Sequence, residues 1–111
     1  MSRKPLAPET LRAVAQRFKV LAEPARLEVL NALRVGPLNV SELIDATGLN
    51  QANLSKHLQL LHAGGFVMRR RDGLFVIYEI ADRSVFTLCD LMCGQLKRQA
   101  TAQVKQLSAV R

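Results

Sequence analysis

Apolar residues recur along most of this chain at helical spacing, and the breaks in that spacing mark its elements. Leu11, Val14, Ala15, Phe18 and Leu21 repeat at three-and-four spacing, which predicts an amphipathic helix over residues 8–22. Pro24 suits the first turn of a second helix, in which Leu27, Leu30 and Leu33 are expected to point inward and which Gly36-Pro37 stops. Leu38 to Val40 read as a short strand leading into Ser41, a good N-cap, and Glu42, Leu43 and Ile44 start a helix that ends before Gly48. Past the Thr47-Gly48 turn, Asn50 begins another helix over Gln51 to Ala63, with Leu54, Leu58 and Leu61 as its buried stripe. Gly64-Gly65 ends it through the left-handed geometry that glycine tolerates.

The helical spacing then gives way to two short apolar runs. Phe66-Val67-Met68 and Phe75-Val76-Ile77-Tyr78 read as strands, and Asp72-Gly73 between them is a hairpin-turn signal. Asp82 or Ser84 caps a last helix that carries apolar residues to Leu107. Four helices, a two-stranded wing and a fifth helix make a mainly α chain with a small β-hairpin. The predicted fold class is a winged helix-turn-helix, with residues 1–111 as one domain extended by a helix at each end.

Composition narrows what such a chain meets. At 111 residues and 49% hydrophobic it can bury only a modest core, so association would add stability. No apolar run approaches the roughly 18 residues of a membrane span, and Met-Ser-Arg-Lys-Pro leads into an amphipathic pattern without a signal-peptide core. The expectation is a cytoplasmic protein with no membrane partner and with both cysteines as reduced thiols. Sixteen Lys and Arg against nine Asp and Glu give a formal charge of +7, which suits a polyanion. There is no serine–histidine–carboxylate spacing, phosphate loop or metal-ligand cluster, so neither an enzyme nor a small-molecule substrate is expected.

The polar residues of the second motif helix fall together. Opposite Leu54, Leu58 and Leu61, steps of about 100° centre Ala52, Lys56 and Gln59, flanked by Asn53 and Ser55. Ala52 and Ser55 are small enough for close approach to a groove. Gln51, Asn53 and Gln59 can pair with base edges, and Lys56 can reach guanine or phosphate. Ser41 can set backbone N–H groups on a phosphate. In the wing, Arg69 and Arg71 share one strand face and Arg70 takes the other, so at least one should reach phosphate or the minor groove while another pairs within the protein. The candidate DNA-binding set is Ser41, Asn50, Gln51, Ala52, Asn53, Ser55, Lys56, His57, Gln59, Arg69, Arg70 and Arg71. Such a polar face is most often merely solvated; the tight turn before it and the basic wing behind it favour duplex DNA.

Leu21-Ala22-Glu23-Pro24-Ala25-Arg26-Leu27-Glu28-Val29-Leu30, Val40-Ser41-Glu42-Leu43, Leu49 through Leu58, Arg70-Arg71-Asp72-Gly73 and Tyr78 together resemble the ArsR/SmtB family of small bacterial winged-helix repressors. The resemblance covers roughly residues 10–97. It implies a homodimer, built by its terminal helices, that occupies an operator and leaves it when a signal arrives. It also implies that Gln51 to His62 form the recognition helix. Two sensor sites familiar in that family are missing: the region Leu38 to Ala46 has no Cys-x-Cys, and of the last-helix zinc positions only Asp82 remains, beside Ser84, Gln95 and Arg98. His57 and His62 lie about 140° apart on their helix and make no metal pair.

On the last helix, Val85, Phe86, Met92, Cys93, Leu96, Ala100, Val104 and Leu107 fall within about 60° of Cys89, whereas Leu91 lies nearly opposite. Apolar residues on more than one face suggest packing on a partner as well as on the helix's own domain. The candidate dimer surface is Leu11, Val14, Phe18, Val85, Cys89, Met92 and Leu96. A two-fold dimer would set its recognition helices about 34 Å apart, one turn of DNA, over an inverted-repeat operator. Cys89 and Cys93 stand on neighbouring turns, and three readings stay open: a thiophilic metal or metalloid site, a redox switch, or small apolar residues at a packed seam. The function expected is a DNA-binding repressor, with Cys89 and Cys93 the candidates for a thiol-directed release. The rival readings are a constitutive regulator with inert cysteines, and a winged-helix protein-interaction or architectural module.

Overall fold

The computed structural model describes residues 3–109. The chain divides into two compact units, Met1–Ala81 and Asp82–Arg111. In the first, α1 spans Pro8–Leu21 and α2 Pro24–Ala32, each with proline in its first turn, where the missing N–H costs no hydrogen bond. A single 3-10 turn, Leu33–Val35, follows α2 and ends at Gly36, whose φ of 139° only glycine adopts readily. The strand β1, Leu38–Asn39, leads into α3, Val40–Thr47, and then α4, Gln51–Ala63. The wing is β2, Val67–Asp72, and β3, Phe75–Ile80. The second unit is α5, Ser84–Ala109, whose first amide is held by the Asp82 carboxylate at 2.9 Å.

Val29, Leu30, Leu33, Leu43, Leu54, Leu58 and Leu61 are each at most 2% exposed, and they bring α2, α3 and α4 together around one core. Complete burial of each such side chain contributes about 1.5–3 kcal/mol, which makes this stripe the main source of the unit's stability. Phe66, Val67 and Tyr78 extend the core under the sheet. Leu27, expected inside, is 38% exposed. Val29, Leu30 and Leu33 define the inward direction of α2, and Leu27 lies about 110° away from their mean at helical spacing.

The helix starts differ from the sequence expectation in one place. Ser41 does not cap α3. The cap is Asn39, one residue before the helix, whose Oδ1 accepts from the Glu42 amide at 2.8 Å while the Glu42 carboxylate accepts from the Asn39 amide at 2.9 Å. That reciprocal box satisfies two amides at once, which a serine inside the first turn cannot do. Asn50 does cap α4, through its Oδ1 and the Asn53 amide at 2.8 Å. At the far end, Phe66 N–H bonds to the Leu61 carbonyl and Gly65 N–H to that of His62, with Gly65 at φ 78°. This is a Schellman closure that turns the chain directly from α4 into the wing. Gly64, which the sequence pairs with it, stays right-handed at φ −79°.

The sheet is antiparallel with order β1-β3-β2: the short strand expected at Leu38 to Val40 covers Leu38–Asn39 and joins the edge of the wing, with Leu38 opposite Tyr78. β2 and β3 pair from Val67 opposite Ile80 to Asp72 opposite Phe75, which places the turn at Gly73-Leu74, one residue beyond the expected Asp72-Gly73. Replacing Asn39 with Ala should destabilise the protein by about 1 kcal/mol, measured by urea unfolding at fixed protein concentration, whereas Ser41→Ala should change it by less than about 0.5 kcal/mol. Equal effects of the two changes would return the cap to Ser41.

Candidate nucleic-acid interface

The turn between α3 and α4 is built by local chemistry. Thr47 Oγ1 donates to the Leu43 carbonyl at 2.7 Å and accepts from the Leu49 amide at 3.3 Å, while Gly48, at φ 72°, returns its N–H to Ile44. The chain therefore leaves α3 and enters α4 within three residues, Gly48 to Asn50. Leu54, Leu58 and Leu61 face the core, so the opposite face of α4 has to meet water or a partner. Gln51, Ala52, Asn53, Ser55, Lys56 and Gln59 are all exposed there.

Two of the candidate residues have structural duties. Asn50 commits its Oδ1 to the cap, which leaves only its amide nitrogen for an outside acceptor. His57 is half-buried and sits 3.4 Å from the Arg26 guanidinium through Nδ1. Arg26 also donates through Nε to the Val20 carbonyl near the end of α1. This one guanidinium thereby links the first two helices to α4. Its signal in the sequence was a cation among the apolar residues of α2, but its partners lie 6 and 31 positions away, beyond what spacing can name. Ser41 is exposed at the second position of α3. The Glu42 carboxylate occupies the same helix end and opposes a phosphate, so what Ser41 offers is its hydroxyl.

The wing carries the charge. Arg69, Arg70 and Arg71 are all exposed, and a groove of about 360 Å³ opens among them and Val76. Among the described residues none of the three makes an ion pair or a side-chain hydrogen bond, which corrects the expectation that one would pair within the protein. The reason is positional: across the hairpin they face Tyr78, Ile77 and Val76, none of them acidic. With α4 packed against β2, the polar helix face and the free guanidinium groups belong to one compact unit. That combination can contact base edges with amides and a lysine, and phosphates with arginines.

The candidate dimer residues divide. α1 has no buried residue, and Leu11 and Phe18 are 52% and 53% exposed, with Val14 half-buried. On α5, Met92 and Leu96 are 59% and 61% exposed, as are the apolar residues further along, Val104 and Leu107. Val85 departs from expectation: at 3% exposure within the single chain it has almost no surface left for a second one. Cys89 is half-buried and Cys93 exposed, both as free thiols. Among the described residues no group of three or more His, Cys, Asp or Glu side chains is placed to hold a metal ion, and no helix is long and apolar enough to cross a membrane.

Comparison with known proteins places this arrangement. The family profile "Bacterial regulatory protein, arsR family" matches residues 23–68, from the start of α2 into the wing. The transcriptional regulator NmtR of Mycobacterium tuberculosis is 37% identical over 86 residues, 78% of this chain and 72% of that protein. The crystal structure of Rv0081 from the same organism superposes with a TM-score of 0.77 at 36% identity, covering 89% of this chain and 99% of that one. The solution structure of the homodimeric winged helix-turn-helix DNA-binding domain of Mb0332 from Mycobacterium bovis gives a TM-score of 0.74 at 33% identity, covering 90% and 94%.

Neighbouring residues of α4 should behave oppositely. Leu58→Ala is expected to cost about 2–5 kcal/mol in chemical unfolding, and Gln59→Ala less than about 0.5 kcal/mol. A comparable loss from both would show that the helix is rotated from the position described.

Proposed function

This chain belongs to the arsR family of bacterial regulatory proteins, and from that premise we propose that it is a transcriptional repressor acting as a homodimer on double-stranded DNA. One observation carries the reading: an exposed polar face on α4 shares a compact unit with three arginines that have no side-chain partner among the described residues. The net charge of +7 acts in the same direction. Gln51, Asn53, Lys56 and Gln59 contact base edges in the major groove, Ala52 and Ser55 permit the close approach, and the wing arginines with Ser41 hold the backbone. The amide nitrogen of Asn50 and the imidazole edge of His57 lie at the margin of that contact.

Dimerisation covers what a single chain leaves bare. Leu11 and Phe18 of α1 and Leu88, Leu91, Met92, Leu96, Val104 and Leu107 of α5 are exposed, and the relative from M. bovis is homodimeric. Leu11, Val14, Phe18, Cys89, Met92 and Leu96 are the proposed seam. A two-fold axis sets two α4 helices about 34 Å apart, so the operator is an inverted repeat, and a bound dimer blocks the promoter sterically. The protein acts in the cytoplasm and carries out no catalysis.

The thiols are the proposed point of release. Cys93 is accessible and Cys89 partly so, one turn apart on α5. Two thiolates can hold a soft ion by themselves, or join the second chain's pair in a four-sulfur site across the dimer. Oxidation is the alternative chemistry at the same atoms.

Three measurements test the reading. The dimer should prefer its operator over random duplex by about 10³-fold or more in a titration at fixed salt, and equal affinity for both would remove the repressor. Lys56→Ala should weaken operator binding by about tenfold or more with the unfolding midpoint unchanged. In the double variant Cys89→Ser, Cys93→Ser, release of operator by arsenite, thiophilic metals or oxidants should be lost. Release that survives would clear both thiols.

A further inference from the structure

The tip of the wing is out of keeping with an ordinary hairpin turn. Two-residue loops favour glycine, asparagine, aspartate and serine, yet here the second loop position is Leu74. Leu74 is 95% exposed, more than any other large hydrophobic among the described residues, and Phe75 beside it is 57% exposed. Gly73 takes φ 62° and Leu74 a negative φ, the signs of a type II′ loop, whose twist matches the flanking strands. Ladder pairing continues to Asp72 opposite Phe75, so the tip is held rigidly rather than frayed. Six residues per strand carry it about 20 Å from the base of the hairpin.

An isolated leucine on a surface needs no explanation, but this one has specific company. Behind it on β2 stand Arg69, Arg70 and Arg71, exposed and without side-chain partners among the described residues, around an open groove of about 360 Å³. A surface that combines an apolar point with adjacent cations fits a partner that combines apolar walls with anionic rims. The minor groove of DNA has that construction: phosphates line its edges, deoxyribose faces its walls, and base edges its floor.

We propose that Leu74 is an apolar wedge that enters the minor groove beside each half-site and discriminates A·T from G·C pairs there. This rests on the reading of the chain as an operator-binding repressor and adds a determinant of sequence that lies outside the recognition helix. The discrimination has a steric and a solvation cause. In a G·C pair the guanine N2 amino group stands on the groove floor, where it fills the space a leucine side chain needs and loses its water against methyl groups. An A·T pair has no such group and presents only acceptors on its floor, so the negative potential that draws the arginines is undiminished there. Leu74 therefore reads the floor while the arginines hold the rims.

The experiment uses the full-length dimer. Duplexes are first enriched from a random library by the wild-type protein, and the pairs flanking the enriched core are then replaced one at a time by G·C or by inosine·C. Inosine lacks only the N2 amino group and leaves the major-groove edge as in guanine. Wild-type protein should lose about fivefold to tenfold in affinity on G·C replacement at one or two flanking pairs and recover it with inosine·C. Leu74→Ser should bind A·T, G·C and inosine·C flanks within about twofold of one another, and Leu74→Met should keep the preference. The slope of log affinity against log salt should be the same for Leu74→Ser as for wild type, whereas Arg70→Ala should make it shallower by about 0.9 for each phosphate that the variant no longer neutralises.

Because the Leu74 side chain is almost wholly exposed in the single chain, the thermal midpoint of Leu74→Ser should equal that of wild type. Retained A·T preference in Leu74→Ser, or inosine·C flanks as weak as G·C, would overturn the wedge while leaving the repressor standing. So would intact DNA selection by Leu74→Ser together with lost binding to anionic phosphatidylglycerol vesicles, which would assign the tip to a membrane surface. Failure of the wild-type protein to enrich any sequence would instead remove the repressor reading, and the wedge with it.

Discussion

Burial of one leucine stripe on α4 is the constraint from which the working surface follows. Leu54, Leu58 and Leu61 fill the space against Val29, Leu30, Leu33 and Leu43, and none of the seven can turn outward without opening a cavity. A helix has only one rotation about its axis. Once that stripe is committed to the core, Ala52, Lys56 and Gln59 are committed to the outside, whatever their own preferences. The same burial makes the surface rigid, so its side chains can be presented to a groove without ordering the backbone at the moment of contact.

The ends of the helices decide where that surface points. The Asn39–Glu42 box starts α3, and Gly48 with the Thr47 hydroxyl closes the turn before the Asn50 cap starts α4. The Schellman closure at Gly65 sends the chain straight into β2, and β1 ties the other edge of the sheet to β3. Arg26 adds a polar tie from the first two helices to His57 on α4. Each device saturates backbone or side-chain donors that would otherwise lie unpaired at a helix end. Together they orient α4 and the wing within one unit.

What the single chain leaves uncovered is as informative as what it buries. α1 has no buried residue, and α5 exposes Leu88, Leu91, Met92, Leu96, Val104 and Leu107 along 26 residues. A small domain with so much helix surface of this kind gains stability by association, which is the physical basis for the proposed dimer. The thiols of Cys89 and Cys93 lie on that same helix, so chemistry at sulfur acts where two chains are proposed to meet. At the opposite extreme, Leu74 is uncovered at a tip too small to be a dimer seam, and its neighbours are cations.

Much of this molecule was legible in the order of its residues. The limits of α4, its buried stripe and its polar face follow from a 3.6-residue period running between an asparagine cap and a glycine pair. The wing follows from two short apolar runs, Phe66-Val67-Met68 and Phe75-Val76-Ile77-Tyr78, on either side of a glycine turn. Both signals are local, because the residues that create them lie within one or two turns of each other. The tertiary structure decided the rest. Asn39 and Ser41 are both good caps in isolation, and the cap fell to Asn39, which is paired with Ile77 across the sheet and placed to exchange bonds with Glu42. Leu27 and Val29 are both apolar, and only the positions of α3 and α4 determine which of them is inside. Val85 reads as seam from its place on a stripe, yet it is already buried in the single chain. Arg26 acquired its roles from partners 6 and 31 residues away. Periodicity specifies which residues share a face, but what that face meets depends on neighbours that only folding brings near.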